Sequence, residues 1–376
     1  MNSIICGDSL EVLKTLADES VDMIMTSPPY WGLRNYDVEG QLGLESTFAE
    51  YLEKILQITK ELKRILTPMG SLWWNHGDSY SSVGKSGGDF GQDGKITKGL
   101  SGRSRTKDFK EKSLIGQPWR VAIKMCDEQG WILRSDIKWI KQILLYKERR
   151  TIGSVMPTSV KDRFNSAGEY LFHFVKNKKY YFDLDAVRIK NQVMGVSDFR
   201  AEGFVRSAEL YYDSKYNKSK GKGKIDGASR YNEIDKEYGK KKLKGIKDKK
   251  LGNRWMSGTP NYIYKITKEN TPTFPHKEGR LNEYVNENGK NIPNAWLIGT
   301  EPQKDAHFAM YPTALCEIPI LSSCPKDGVV FDPFMGGGST AVTAKRLGRN
   351  YLGIEINPDY IKIAEKRIAG VTSPLL

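Results

Sequence analysis

Two short stretches of the chain carry residue types able to do chemistry at useful spacing. The first is Thr26-Ser27-Pro28-Pro29-Tyr30. Two successive prolines stiffen the backbone and donate no N–H. The Ser27 hydroxyl and the Pro28 carbonyl are left as outward acceptors, with the Tyr30 ring alongside. An amino group with two hydrogens suits that arrangement, provided it sits on a flat ring that can stack on Tyr30. A rigid turn without chemistry is the plainer alternative. The second stretch is Phe331-Asp332-Pro333-Phe334-Met335-Gly336-Gly337-Gly338-Ser339-Thr340. Glycines between a strand and a helix let a ligand approach the backbone, and the helix start offers N–H groups. Glu355 ends the following strand, seventeen residues past Gly338. Nucleotide-type sites hold ribose hydroxyls with an acid at that place. A tight turn would equally explain three glycines. No Gly-Lys-Ser/Thr follows them, so phosphate chemistry of the Walker kind is excluded.

These stretches need elements to hold them, and the flanks of the chain supply short β-branched runs alternating with amphipathic helices. In the first part, strands are predicted at 3–6, 21–26, 71–75 and 132–140. Asp8 or Ser9 caps a short helix with Leu10, Leu13 and Leu16 inward. A helix over 48–66 carries Tyr51, Ile55, Ile58, Leu62 and Ile65 at helical spacing and is ended by Pro68 and Gly70. A further helix covers 117–129, and 170–175 with 180–183 reads as a hairpin. Near the C-terminus, strands at 328–331 and 350–356 alternate with helices at 339–347 and 358–368, the last capped by Asn357 with Pro358 in its first turn. The second motif thus opens a strand–helix–strand–helix unit. The strand and helix that would continue it stand at 3–16, so the two ends of the chain complete one sheet, which requires them to lie close together.

The chain has 376 residues and a formal net charge of +14, with 39% hydrophobic and 28% charged residues. A sizeable core can form, and wholesale disorder is excluded. No apolar run approaches membrane-spanning length, and the N-terminus lacks the basic start of a secretory signal. Cys6, Cys126, Cys316 and Cys324 form no CxxC pair, and His is scarce, so neither a disulfide scaffold nor a zinc site is expected. Positive charge concentrates between Arg200 and Arg254, where 17 Lys/Arg face 8 Asp/Glu. Lys220, Lys222, Lys224, Arg230, Lys240, Lys241, Lys242 and Lys244 are the candidate contacts to a polyanion, interleaved with tyrosines and glycines. A solvated linker is the alternative reading of this segment. Residues 81–112, rich in Gly, Ser and Lys, read as a long mobile loop. The Trp73-Trp74 pair reads as packing against the sheet.

Ser27-Pro28-Pro29-Tyr30 together with the run from Asp332 to Thr340 resembles the S-adenosylmethionine-dependent DNA amino-methyltransferases, which methylate cytosine N4 or adenine N6. Catalytic motif first, cofactor motif last and a basic stretch between them is similar to the permuted order of the beta class. Gly7-Asp8-Ser9-Leu10 resembles the acidic turn that contacts the cofactor adenine, and Tyr351-Leu352-Gly353-Ile354-Glu355 resembles the ribose-binding strand. His307-Phe308-Ala309-Met310-Tyr311-Pro312 stands in the place of the motif at the methionine end of the cofactor. Trp139-Ile140-Lys141 and Arg163-Phe164…Glu169-Tyr170-Leu171-Phe172 resemble segments closing the target-base side. The likeness covers about 1–190 and 300–368; residues 142–154 carry more bulk than the short loop it would lead one to expect.

The resemblance implies an α/β fold with a doubly wound, mostly parallel Rossmann-like methyltransferase sheet, circularly permuted. It implies a catalytic half at 1–190, a basic target-recognition region at 191–300 and a cofactor half at 301–376. S-adenosyl-L-methionine would be held by Asp8, Ser27, His307, Phe308, Asp332, Pro333, Phe334, Gly336, Gly338, Ser339, Thr340 and Glu355, with Ser27, Pro28, Pro29 and Tyr30 catalytic and no metal. The substrate would be double-stranded DNA with its target base flipped. Serine rather than aspartate at position 27 leans toward cytosine N4, with adenine N6 second. An RNA or protein amide methyltransferase and a non-catalytic DNA-binding relic are the remote alternatives. A cytoplasmic monomer or homodimer, with a separately encoded restriction endonuclease as partner, completes the expectation.

Overall fold

Side chains alternate across a strand, and the two core clusters show what that alternation does here. Along Val21–Thr26, Ile24 enters one cluster while Met23 and Met25 enter the other. Leu72 and Trp74 point to the first side and Trp73 to the second; Phe172 and Phe174 again to the first and Leu171 to the second. A strand buried on both faces needs helices on both, and the computed structural model has them. It describes residues 2–33, 35–36, 38–81, 108–189, 288–301 and 310–372, with 89–90 and 96–97 in backbone only.

Among the described residues, eight strands form the main sheet: β1 (Asn2–Cys6), β2 (Val21–Thr26), β3 (Leu66–His76), β4 (Ile132–Ile140), β7 (Gly168–Val175), β8 (Ala295–Leu297), β9 (Val329–Asp332) and β10 (Asn350–Glu355). The order is β1-β10-β9-β2-β3-β7-β4-β8. Neighbours are parallel from β1 to β3, β7 runs antiparallel between β3 and β4, and β8 is parallel to β4. A separate ribbon pairs β5 (Gln142–Leu145) with β6 (Arg150–Gly153). Helices α1 (Ser9–Thr15), α2 (Phe48–Ile65) and α3 (Gln117–Gln129) cover one face, and α4 (Thr313–Ser323), α5 (Ser339–Arg346) and α6 (Pro358–Ala369) the other. This is a doubly wound Rossmann-like sheet.

The permutation is visible in the register. β1 pairs parallel with β10, Asn2 beside Tyr351 through Cys6 beside Glu355, so the N-terminal strand completes the sheet beside the last one. Local signals place the elements. Asp8 caps α1 by accepting from the N–H groups of Leu10 and Glu11. Thr47 and Glu50 form a capping box on α2. Asn357 caps α6 by accepting from Asp359 N–H.

Three expectations change. The helix before Pro68 ends at Ile65 and the chain is already in β3 at Leu66; a register shift between Val21 and Met23 absorbs the intervening residues, so Pro68 and Gly70 lie inside the strand. Tyr180–Asp183 makes no hairpin with β7, which pairs with β3 and β4 instead; Tyr181 and Asp183 N–H donate singly to Met69 and Ser322 carbonyls. The bulk after Lys141 is the β5–β6 ribbon. Residues 82–88, 91–95 and 98–107 of the Gly/Ser/Lys-rich loop, the basic segment with its eight candidate cations, and His307 and Phe308 lie outside the described residues.

Candidate active site

The ends of β2, β9 and β10 meet at one cavity of about 630 Å³, a size suited to a small-molecule cofactor with part of a substrate. Ligands in open α/β sheets bind at such carboxyl ends where the strand order reverses. Ser27, Pro28, Pro29 and Tyr30 line it on one side; Pro333, Phe334, Gly336, Gly337, Ser339 and Glu355 on another; Asp8 and Ser9 close a third. Met310 and Tyr311 line it from the segment that contains the expected methionine-end motif.

Asp332 joins the two motifs from behind. Its buried carboxylate accepts from Thr26 Oγ1 (2.7 Å), Thr340 Oγ1 (2.7 Å), Tyr311 OH (2.9 Å) and Phe334 N–H (3.0 Å). Burial pushes its carboxyl above the ordinary range, against the pull of these donors. Asp332, Gly338 and Thr340 therefore stand behind the cavity wall and hold it. Gly338 has φ +82°, and a Cβ there would lie 2.8 Å from Ala364 Cβ, so the glycine lets α5 start tight against α6.

Glu355 faces the cavity with two backbone amides already bound, Gly336 N–H on Oε2 (2.8 Å) and Asn357 N–H on Oε1 (2.9 Å). Burial raises its pKa, and those amides oppose the shift. Each carboxylate oxygen keeps a second acceptor site. The residues present fit S-adenosylmethionine: an acid at a strand tip, a glycine turn with little side-chain bulk, and the Asp8–Ser9 helix start across from them. Ser9 Oγ donates to the Pro333 carbonyl at 2.6 Å, binding the first wall to the second.

The Ser27 side is a connected polar cluster. Ser27 Oγ lies 3.1 Å from Tyr30 OH, and Tyr30 OH donates to Glu169 Oε2 at 2.8 Å. Asn75 Nδ2 reaches Glu169 Oε2 (2.9 Å), Tyr30 OH (3.0 Å) and Ser27 Oγ (3.4 Å). Lys141 Nζ pairs with Glu169 Oε1. Burial alone would push the Glu169 carboxyl up; Lys141, Tyr30 and Asn75 outweigh it and hold it below the usual glutamate value. The Tyr30 hydroxyl is driven well above its usual pKa by burial and by the Glu169 charge, so it remains a proton donor. His76 stacks on one face of the Tyr30 ring (centroids 4.9 Å, 13°), and burial lowers its pKa to about 4, so it is neutral at pH 7. Tyr51 OH donates to the Pro29 carbonyl at 3.0 Å and pins the double-proline turn from α2.

Sequence reasoning missed Asn75 and His76. The available signal was the polar run Asn75-His76-Gly77-Asp78 directly after an apolar strand, at the same sheet edge as Ser27. Arg163 and Phe164 lie away from the cavity lining, while Trp139, Lys141 and Glu169 are on it. Among the described residues no group of three or more His, Cys, Asp or Glu could hold a metal ion.

A glycine turn faces an acidic strand tip, the Ser27–Tyr30 turn stands on the rim of the same cavity, and the protein is a methyltransferase that uses S-adenosylmethionine. The chain belongs to the DNA methylase family of N6 and N4 methyltransferases, whose profile matches residues 21–366. It is a DNA methyltransferase. Its curated relatives include the Type II methyltransferase M.Cfr9I of Citrobacter freundii, 32% identical over 97% of this chain and 86% of that protein. M.SmaI of Serratia marcescens is 29% identical over 97% of this chain and 90% of that protein. Among solved structures, the PvuII DNA methyltransferase (cytosine-N4-specific) shares the fold with TM-score 0.52, at 19% identity over 98% of this chain and 86% of that one.

Proposed function

We propose that the protein methylates the exocyclic N4 amino group of cytosine in double-stranded DNA, with the target base turned out of the helix into the cavity beside Tyr30. The carrying observation is the acceptor set at the cavity wall. Ser27 Oγ, 3.1 Å from Tyr30 OH and 3.4 Å from Asn75 Nδ2, lies on the cavity lining beside Pro28. An amino group arriving in the cavity would donate its two hydrogens to the Ser27 hydroxyl oxygen and the Pro28 carbonyl.

An aromatic amine is a poor nucleophile because its lone pair is delocalised into the ring. Acceptors at Ser27 and Pro28 hold the two amino hydrogens and localise the lone pair on nitrogen. Tyr30, backed by His76, offers its remaining face to the flat base. Glu355, Asp8 and the Gly336–Gly337 turn would hold S-adenosylmethionine, which supplies a methyl group on a sulfonium centre. Catalysis then rests on positioning and on preset dipoles. A neutral serine in the first catalytic position favours cytosine over adenine in this reading. The basic residues of 191–300 serve as the target-recognition region, contacting phosphates. The enzyme acts in the cytoplasm as a monomer or homodimer, alongside a separately encoded restriction endonuclease.

Duplex DNA incubated with the purified protein and methyl-labelled S-adenosylmethionine, digested to nucleosides and resolved by mass spectrometry, tests this. Labelled N4-methylcytosine is expected. Label in N6-methyladenine would refute the cytosine assignment while keeping the pocket chemistry, and label in neither would refute the reading of the Ser27 cluster.

A further inference from the structure

Between Lys141 and Gly168 the chain leaves the sheet and returns with almost nothing buried. Leu144 is 60% exposed, Tyr146 74%, Met156 85% and Phe164 96%. Four large apolar side chains left in water within one excursion of the chain are the kind of surface that contacts a partner. Five cations share the excursion with only two carboxylates, Glu148 and Asp162. Both acids are already paired, Glu148 with Arg150 and Asp162 with Lys112. Lys147, Arg149, Lys161 and Arg163 keep no carboxylate partner among the described residues, and Arg163 instead lies 3.9 Å over the Tyr80 ring.

The excursion is rooted in the active site. Lys141 N–H donates to the Ala167 carbonyl (2.7 Å), and Ser154 N–H donates to the Lys141 carbonyl (3.2 Å). Gly153 has φ +85°, and a Cβ there would stand 2.1 Å from the Lys141 carbonyl oxygen, so only glycine permits this clamp. The two stems lead into Lys141 and Glu169, the ion pair in the cavity wall.

We propose that residues 142–164 form a DNA-docking surface beside the base pocket. The surface lays Lys147, Arg149 and Lys161 along backbone phosphates and presses Tyr146, Met156 and Phe164 against sugars and bases. A two-stranded ribbon has the width of a DNA major groove, and a cationic surface with apolar tips suits a polyanion whose bases offer flat apolar faces. DNA held there bears on the two stems that set the Lys141–Glu169 pair. The proposal rests on the methylation reading only for the cavity beside it; the surface itself requires duplex DNA alone.

The test is the salt dependence of binding to a mixed-sequence duplex with cofactor present. Each phosphate contact contributes about 0.9 to the slope of log affinity against log salt. Lys147→Ala/Lys161→Ala is expected to flatten the slope by about 2. Lys178→Ala/Lys179→Ala, which removes two exposed cations beyond the opposite end of β7, leaves the slope unchanged. Phe164→Ala weakens DNA binding with the slope intact, because an apolar contact releases no counterions. S-adenosylmethionine affinity and the thermal midpoint stay at the parental values in all three. Equal slopes in the two lysine pairs would overturn the proposal. So would a Phe164→Ala protein that binds DNA normally but sediments as a smaller species, since the surface would then seat a second copy of the chain. Failure of the wild-type protein to produce methylcytosine would sink the function proposed above and leave these slopes standing.

Discussion

Removing the Ser27 hydroxyl separates catalysis from folding with little ambiguity. Tyr30 OH and Asn75 Nδ2 both have Glu169 Oε2 as acceptor, at 2.8 and 2.9 Å, so Ser27→Ala orphans neither. The loss in stability is then below about 1 kcal/mol, a shift of only about 1 °C for a chain of this size. Turnover has no such compensation. Losing one preorganised polar partner of a reacting group costs on the order of 10²–10³ in rate. With the Pro28 carbonyl still present, the lower end, about 10²-fold, is expected. Single-turnover transfer of labelled methyl to DNA measures the rate, calorimetry the cofactor affinity and a thermal melt the stability. A rate within about threefold of wild type, far short of the loss such a partner carries, would refute the role given to Ser27. A parallel loss of cofactor affinity would move the hydroxyl to the cofactor side of the cavity.

Four other substitutions probe the rest of the site. Glu169→Gln deprives Lys141 of its partner and Tyr30 and Asn75 of a charged acceptor. It should cost on the order of 1–3 kcal/mol in urea unfolding, and over tenfold in turnover. The Glu169 carboxyl is held below its usual value, so its stabilising effect is complete above the ordinary glutamate pKa and drains away as pH falls through the lowered one. Wild-type and Glu169→Gln unfolding midpoints should therefore converge in acid; a constant gap would contradict the ion-pair account. Glu355→Ala should weaken S-adenosylmethionine binding in calorimetry at least tenfold, and unchanged affinity would take Glu355 out of the site. Gly338→Ala should lower stability by about 1–3 kcal/mol, because φ +82° and the 2.8 Å approach to Ala364 both resist a side chain. Gly336→Ala, whose nearest neighbour would be 3.9 Å away, should lose about 1 kcal/mol from its φ of +50° alone. Equal melts for the two would refute the packing argument.

Much of this architecture was legible in the residues because local and tertiary signals agreed. Helix α3 stands at Gln117–Gln129 as read, set between Pro118 in its first turn and Gly130 in the left-handed C-cap. β2 and β4 likewise run over the predicted residues. Legibility failed where tertiary structure overrode a local rule. Pro68 and Gly70 punctuate most chains, yet here they ride through β3 because a register irregularity against β2 accommodates them. Helix α4 gave little periodic signal, since Leu315, Cys316, Pro319, Ile320, Ser322 and Ser323 are all buried and the helix has no polar face to set a period. In the site, the glycine turn, Glu355 and the Ser27 turn were readable from spacing. The Asn75–Glu169 link was not, because it joins neighbouring antiparallel strands through residues 94 apart in sequence.

The joining of the first strand to the last has a consequence for how the protein is made. Gly7 N–H donates to the Glu355 carbonyl, Ser9 Oγ to Pro333, and Thr26 Oγ1 to Asp332, each across more than three hundred residues of chain. Among the described residues β1 pairs with β10 alone, and β2 lacks one flank until β9 exists. A ribosome that has released the Ser27 turn has therefore released strands with open edges and no completed pocket. Such contacts carry the largest loop-closure entropy and form late. The cavity, which Ile354 and Glu355 line, is complete only after β10 has emerged. A nascent or interrupted chain lacks that wall until then, and its unpaired β1 and β2 edges are the sites a chaperone would have to shield.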